Sequence, residues 1–255
     1  MSERVVIRGT NTETKLDFLK AMSALVSAAD PRTPTSKRGT TPRRVRLTSV
    51  TPGSNAIFSL SESLRAGKLA ALELWGVGLV ASDAKQLGRA LMAAPPNVLT
   101  MLDLGGNPEL GDVGALALVA GVGEAAGLLS LGLDGTGLGD NGGRAVAQAL
   151  RQSRSLTSIK LQNNVLTDVA ALELAQSIRS AVDGSRSTLT QLLLQRNRIG
   201  DRGATGTWRP VLSSLGPPNV PALPSLGSLA VSTFAPNPWT RSTRGGHCWQ
   251  RGGRA

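Results

Sequence analysis

The feature that most constrains this chain is a pattern of aliphatic residues that returns five times. Each copy follows Leu-x-x-Leu-x-Leu-x-x-Asn-x-Leu. The first is Leu69, Leu72, Leu74, Val77 and Leu79; the second is Leu99, Leu102, Leu104 and Asn107, with Leu110 one position late. The third is Leu128, Leu131, Leu133, Thr136 and Leu138, and the fourth is Leu156, Ile159, Leu161, Asn164 and Leu166. The fifth is Leu189, Leu192, Leu194, Asn197 and Ile199. Successive copies start 30, 29, 28 and 33 residues apart. One match would carry little weight. Five in a row describe a stack of similar units, none of which can bury its apolar face alone.

The spacing has a physical cause. Positions 4 and 6 lie two apart, so both side chains leave the same face of a short strand. Positions 1, 9 and 11 turn inward as the chain bends away, and stacked units then share one apolar column. Between the strands lie helix-like stretches: Ser82 to Leu91, Gly143 to Leu150, and Asp168 to Ala181 with Leu172, Ala175 and Ile178 at helical spacing. Asp83, Asp140 and Asp168 stand where a short acceptor side chain can cap free amides. The stretch 111–126, with Gly111, Gly114, Gly121 and Gly123, is a poorer helix former and is expected to be the least rigid part of the helical side.

The unit length, the full helix per unit, and the phrases Leu138-Gly139-Asp140-Asn141-Gly142-Gly143 and Ile199-Gly200-Asp201-Arg202-Gly203-Ala204 resemble the ribonuclease-inhibitor-like subclass of leucine-rich repeats. Ribonuclease inhibitor, the sensor ends of NOD-like receptors and the Ran GTPase-activating proteins carry such repeats. The resemblance covers residues 69–205. It implies an α/β solenoid shaped as a curved horseshoe, with parallel strands on the concave side and helices on the convex side. It also implies that the position-9 asparagine is buried, its amide bonding backbone groups that the turn leaves unpaired. Asn107, Asn164 and Asn197 can do this. Thr136 can do part of it and Val77 cannot, so the first unit is expected to be less regular at its turn.

The flanks divide the chain. Val45-Arg46-Leu47 with Asn55–Arg65 reads as a degraded strand-plus-helix unit, which extends the solenoid to residues 42–205. Residues 1–41 read as a further degenerate unit, Val5-Val6-Ile7 with a helix over Lys15–Ala29, and then a basic, proline-rich mobile loop from Pro31. After Ala204 the pattern fails. Residues 206–255 are rich in Pro, Gly and Arg, with only a weak Leu223, Leu226, Leu229 series, and are expected to be largely disordered. No cap follows the last unit, which puts Leu192, Leu194 and Ile199 at risk of exposure. Translation of a retained intron would also give such a tail.

The net charge of +11 suggests nucleic acid until it is mapped. Residues 1–68 carry 12 Lys/Arg against 5 Asp/Glu, residues 69–205 carry 11 against 12, and residues 206–255 carry 5 against none. The repeat block is nearly neutral and the excess lies in the flanks, where charge runs are usually solvated. No apolar run reaches the length of a membrane span, and no signal-like core follows Met1. With Cys248 alone there is no internal disulfide. The expectation is a cytoplasmic protein, with the nucleus as the alternative, and no membrane contact.

Chemistry-bearing motifs are scarce. His247 and Cys248 are adjacent, but two ligands do not make a structural zinc site. Gly132-Leu133-Asp134-Gly135-Thr136-Gly137 and Gly105-Gly106-Asn107 fall on repeat turns and read as turn glycines rather than phosphate loops. No catalytic residue, metal site or cofactor is therefore expected. The better candidates are variable strand positions pointing out of the concave face: Glu73, Trp75, Asp103, Asp134, Lys160, Gln162, Gln195 and Arg196. Acidic residues occupy the first three units and basic ones the last two, a pattern that can steer a partner. Trp75 is the natural anchor, unless it is merely tucked against a neighbour.

Three functions compete. The first is a non-catalytic module or scaffold that binds a protein partner on the concave face. The second, by family resemblance alone, is a GTPase-activating protein of the Ran-activator type, whose usual acidic tail is absent here. The third is non-specific nucleic-acid association through Arg43, Arg44, Arg46 and the basic tail. That binding would weaken steeply with salt, and the low aromatic content argues against base reading.

Overall fold

The computed structural model describes residues 4–8, 43–49, 54–183, 188–200 and 230–232. Within them strands and helices alternate. The strands are β1 (Arg4–Arg8), β2 (Arg43–Thr48), β3 (Leu69–Trp75), β4 (Met101–Asp103), β5 (Ser130–Gly132), β6 (Ser158–Lys160), β7 (Gln191–Leu193) and β8 (Ala230–Ser232). The helices are α1 (Ser54–Arg65), α2 (Ala81–Ala93), α3 (Gly111–Glu124), α4 (Asp140–Gln152) and α5 (Asp168–Asp183). All eight strands form one open sheet in sequence order, and every pair is parallel. Successive helices pack side by side. This is the α/β repeat solenoid that the leucine pattern demands.

Register follows the pattern. Leu72, Leu102, Leu131, Ile159 and Leu192 are mutual partners across the sheet, and all are buried. Leu74, Leu104, Leu133, Leu161 and Leu194, two residues on, line the same interior. The hydrogen-bonded ladder continues past each strand end. The N–H of Ser49, Gly76, Gly106, Gly135 and Asn163 donates to the carbonyl of Trp75, Gly105, Asp134, Gln162 and Gln195 of the next unit, at 2.7–3.1 Å. Position 8 turns left-handed in all six units whose turn is described: φ is 55° at Ser49, 60° at Gly76, 70° at Gly106, 59° at Gly135, 55° at Asn163 and 56° at Arg196. Glycine takes this region at no steric cost, which explains three of the six residues.

Two side-chain ladders lock neighbouring units in opposite directions. The asparagines reach backward. Asn107 Oδ1 accepts from Val77 N–H at 2.9 Å and Leu79 N–H at 3.1 Å, while its amide donates to the carbonyls of Leu74, Leu104 and Gly105. Asn164 repeats this on Thr136 and Leu138. Asn197 accepts from Leu166 and donates to Leu161 and Leu194. The first unit's turn is thus no less regular than the others. Val77 has no amide to offer, but the groups at its turn are served by Asn107 of the following unit. The Thr136 side chain bonds only its own unit, its hydroxyl donating to Leu133 O. It follows a turn that contains the 3-10 segment Pro108–Leu110, which differs from the turns Asn107 and Asn164 bridge.

The aspartates reach forward. Asp112 Oδ1 accepts from Gly139 and Gly142 N–H at 2.7 and 2.9 Å. Asp140 accepts from Thr167 and Ala170 N–H and from the Thr167 hydroxyl, and Asp168 accepts from Gly200 N–H at 2.7 Å. Asp140 and Asp168 therefore satisfy the start of the next unit rather than their own helix. Asp83 alone follows the expected local pattern, accepting from Val80 N–H.

The glycine-rich stretch forms the regular helix α3. Gly121 of this helix meets Gly88 of α2: a Cβ on Gly88 would lie 2.4 Å from Ala117 O, and one on Gly121 would lie 2.2 Å from Gly88 O. Helices α2 and α3 thus approach backbone to backbone. In α5 the buried stripe is Ala170, Ala171, Leu174, Ala175 and Ile178, while Leu172, expected inside, is 46% exposed. At the far end β8 pairs with β7, and Leu192 and Leu194 are buried. The rest of residues 206–255 and the expected helix over Lys15–Ala29 lie outside the described residues, as do His247 and Cys248.

Candidate binding face of the sheet

The leucines fill one side of the sheet, so the intervening residues form its other side. One outward row runs Arg46, Glu73, Asp103, Gly132, Lys160, Leu193 in direct register. Beside it runs Arg44, Ala71, Met101, Ser130, Ser158, Gln191, in which the Ser158 hydroxyl donates to Gln191 Oε1 at 2.8 Å. Thr48 and Trp75, paired at the ends of β2 and β3, begin a further row that continues beyond the strand ends with Gly105, Asp134, Gln162 and Gln195.

The charges on this face are largely matched with one another. Arg46 forms an ion pair with Glu73 across β2 and β3. Lys160 Nζ lies 3.8 Å from Asp103 Oδ2, two units away. That reach is made by Gly132, because a Cβ there would stand 2.6 Å from Asp103 Cγ. Asp103 fills the space that a side chain in unit three would occupy. Its Oδ1 also accepts from Gly105 N–H at 3.0 Å. The split into acidic early units and basic late ones therefore becomes a set of cross-unit pairs.

Trp75 is 41% exposed and lies across the next unit's glycine pair. A Cβ on Gly105 would fall 2.1 Å from Cζ3 of the indole, and one on Gly106 would fall 3.1 Å from its Nε1. Trp75 is thus both a surface ring and a ring held against a neighbour. Arg46, Thr48, Glu73, Trp75 and Asp103 border one shallow open hollow.

The remaining candidates divide. Asp134 is buried, not an outward strand residue, because it sits where the chain leaves β5. Its Oδ1 accepts from Gln162 N–H at 2.9 Å. Burial raises its pKa above 3.8; the Gln162 N–H opposes this, the Asp103 charge adds to it, and Lys160 opposes it. Gln162 is half-buried. Gln195 Oε1 is buried without a hydrogen-bond partner. Arg196 is exposed on the left-handed turn residue, its guanidinium 3.4 Å from Asn163 Oδ1, so it borders the face and does not point out of a strand. Glu73, Trp75, Asp103 and Lys160 are brought together on the sheet. Asn107, Asn164 and Asn197 lie behind it as turn braces.

Sequence reasoning missed Arg46, Thr48, Gly132 and the role of Gly105. Arg46 had been grouped with Arg43 and Arg44 as a basic cluster for nucleic acid. Its guanidinium is instead committed to Glu73, while Arg44 is exposed and the Arg43 side chain lies outside the description. The available signal was spacing: Arg46 precedes Glu73 by 27 residues, close to one unit. Glycine inside a strand also marks close approach of another group.

Among the described residues no group of three or more His, Cys, Asp or Glu could hold a metal ion, and no helix is long and apolar enough to cross a membrane. The family model described as Leucine Rich repeat matches residues 96–119, 152–175 and 186–206, which hold the second, fourth and fifth copies of the pattern. The search of curated proteins gave no match. Among solved structures, one titled Leiomodin-1 Actin-Binding Site 2 is 17% identical, with a TM-score of 0.49 over 64% of this chain and 89% of that one.

Proposed function

We propose that this leucine-rich repeat solenoid is a non-catalytic binding module, and that its protein partner docks on the open side of the sheet. The observation that carries the reading is Trp75: a large ring, 41% exposed, set on a broad surface where Arg46 is paired with Glu73 and Lys160 with Asp103. Aromatic residues in such settings dominate interface energies. The repeating sheet gives a wide surface of fixed shape, as solenoids commonly do. The carboxylates on this face are engaged by cations and backbone N–H groups, an arrangement for holding shape rather than moving protons.

The ribonuclease-inhibitor-like subclass, with the sheet on the concave side, is part of the same proposal. It is supported by the full helix that follows each of β2 to β6 and by the forward Asp ladder at the helix starts. A cytoplasmic setting, with the nucleus as the alternative, also belongs to it. The GTPase-activating reading gains no observation here. The nucleic-acid reading loses Arg46 to Glu73.

A photoreactive residue placed at Met101 or Ser158 on the sheet, and at Lys85 or Gln148 on the helical side, tests the docking surface in living cells. Cross-linked partner from the sheet positions, lost on Trp75→Ala, is the expected result. Cross-links confined to Lys85 and Gln148 would overturn the proposal.

A further inference from the structure

Resting on that docking reading, we infer that the hollow beside Trp75 receives one arginine side chain of the protein partner, stacked on the indole and facing Asp103.

Geometry comes first. The indole is backed by Gly105, where a Cβ would fall 2.1 Å from the ring, and by Gly106, where it would fall 3.1 Å away, so the ring already rests on the sheet. One face rests on backbone and the ring remains 41% exposed. Glu73 and Asp103, neighbours in register on β3 and β4, border the same hollow with Thr48 and Arg46. A planar cation stacks on an indole face and binds a carboxylate edge-on, which suits guanidinium better than ammonium. The hollow already accommodates that chemistry, since the Arg46 guanidinium lies against Glu73 within it.

Charge balance then selects the sign. Glu73 is matched by Arg46. Asp103 and Asp134 share one cation, Lys160, which stands 3.8 Å from Asp103 Oδ2. Counting the buried Asp134, two carboxylates stand against one ammonium beside the hollow, in a chain whose total is +11. The charge of Asp103 still acts on Asp134 in the presence of Lys160, adding to the larger effect of burial. An incoming guanidinium supplies the missing charge, whereas an acidic side chain would meet Glu73 and Asp103 directly.

The test is a titration of the full-length 15N-labelled protein with the peptide acetyl-Gly-Arg-Gly-amide. The same peptide with citrulline, which keeps the shape and removes the charge, serves as the control. Saturable shifts of the Trp75 indole N–H and the Gly105 and Gly106 amides are expected with arginine and not with citrulline. Asp103→Asn should weaken the response about two- to fivefold. Gly105→Ala, which displaces the ring without altering any charge, should weaken it similarly, the rest of each spectrum reporting that the fold is kept. Equal response to citrulline, or shifts centred elsewhere, would overturn the inference. So would movement of the Trp75 signal when Arg241, Arg244, Arg251 and Arg254 are changed to Gln with no peptide present, because the chain's own tail would then be the occupant. Sheet-side cross-linking without an arginine response defeats this inference alone. An arginine response with helix-side cross-links defeats the docking reading alone.

Discussion

Replacing Asn107 by alanine isolates what the backward asparagine ladder contributes. Asn107 is fully buried and bonds five backbone groups, spread over its own unit and the one before. Alanine removes both ends of its amide. The carbonyls of Leu74, Leu104 and Gly105 each lose a donor, but the sharper penalty falls on Val77 and Leu79, whose N–H groups lose their acceptor. An unsatisfied buried donor costs about 1–3 kcal/mol, so the pair accounts for about 2–6 kcal/mol. Whole domains are stable by only about 5–15 kcal/mol, so this is a large share. Thr136→Ala is the internal comparison. It removes a single bond within one unit, to Leu133 O, worth about 0.5–1.5 kcal/mol. Urea unfolding followed by far-ultraviolet circular dichroism measures both losses. Hydrogen exchange locates the first: Val77 and Leu79 amides should exchange faster in Asn107→Ala, while Thr136 and Leu138, held by Asn164, should not. Equal losses in the two variants, or unchanged exchange at Val77 and Leu79, would refute the reasoning.

Further outcomes follow from other sites. Gly88→Ala should destabilise by about 1–3 kcal/mol through overpacking, although helix propensity alone predicts a gain, because the new Cβ would lie 2.4 Å from Ala117 O; thermal unfolding gives the sign. Asp134 has its pKa raised in the fold, so its contribution is favourable below the ordinary value of 3.8 and is lost as pH rises through the raised one. Asp134→Asn keeps an acceptor for Gln162 N–H and should therefore be more stable than the parent at neutral pH, with the advantage shrinking in acid; a melting-temperature series against pH shows it. At Arg196, where φ is 56°, glycine should exceed valine in stability by about 1–2 kcal/mol, read by urea unfolding of the two variants.

The solenoid was legible because its cause is periodic. Leucines at fixed offsets reveal the inward side of each strand, and their recurrence reveals the stack. What spacing could not convey is how one unit treats its neighbour. Val77 looked like a defect when judged within its own unit, yet the groups at its turn are bonded by Asn107, 30 residues later. Asp140 looked like a local helix cap and serves the following unit. The glycines of α3 looked like a weakness in the helix. One of them, Gly121, is where two helices meet backbone to backbone at Gly88, a tertiary reason that propensity does not contain.

The binding face was legible in part. Glu73, Trp75, Asp103 and Lys160 follow directly from the alternation of the strands. Asp134 was misplaced because strand β5 ends at Gly132, two residues before it, so alternation no longer decides where its side chain goes. Arg46 was misread because charge counted along the chain cannot see an ion pair made one unit away. Gly132 and Gly105 carry no chemistry of their own, and their role appears only once Asp103 and Trp75 are seen to occupy the space above them.

Everything above depends on successive units sharing one interior in sequence order, with strands about 4.8 Å apart. Methyl-to-methyl NOE spectroscopy on leucine-labelled protein measures that directly. Cross-peaks should join Leu74 to Leu104, Leu104 to Leu133, Leu133 to Leu161 and Leu161 to Leu194, and should skip no unit. Absence of these four, or strong cross-peaks between non-neighbouring members, would contradict the stacked arrangement and the binding face built on it.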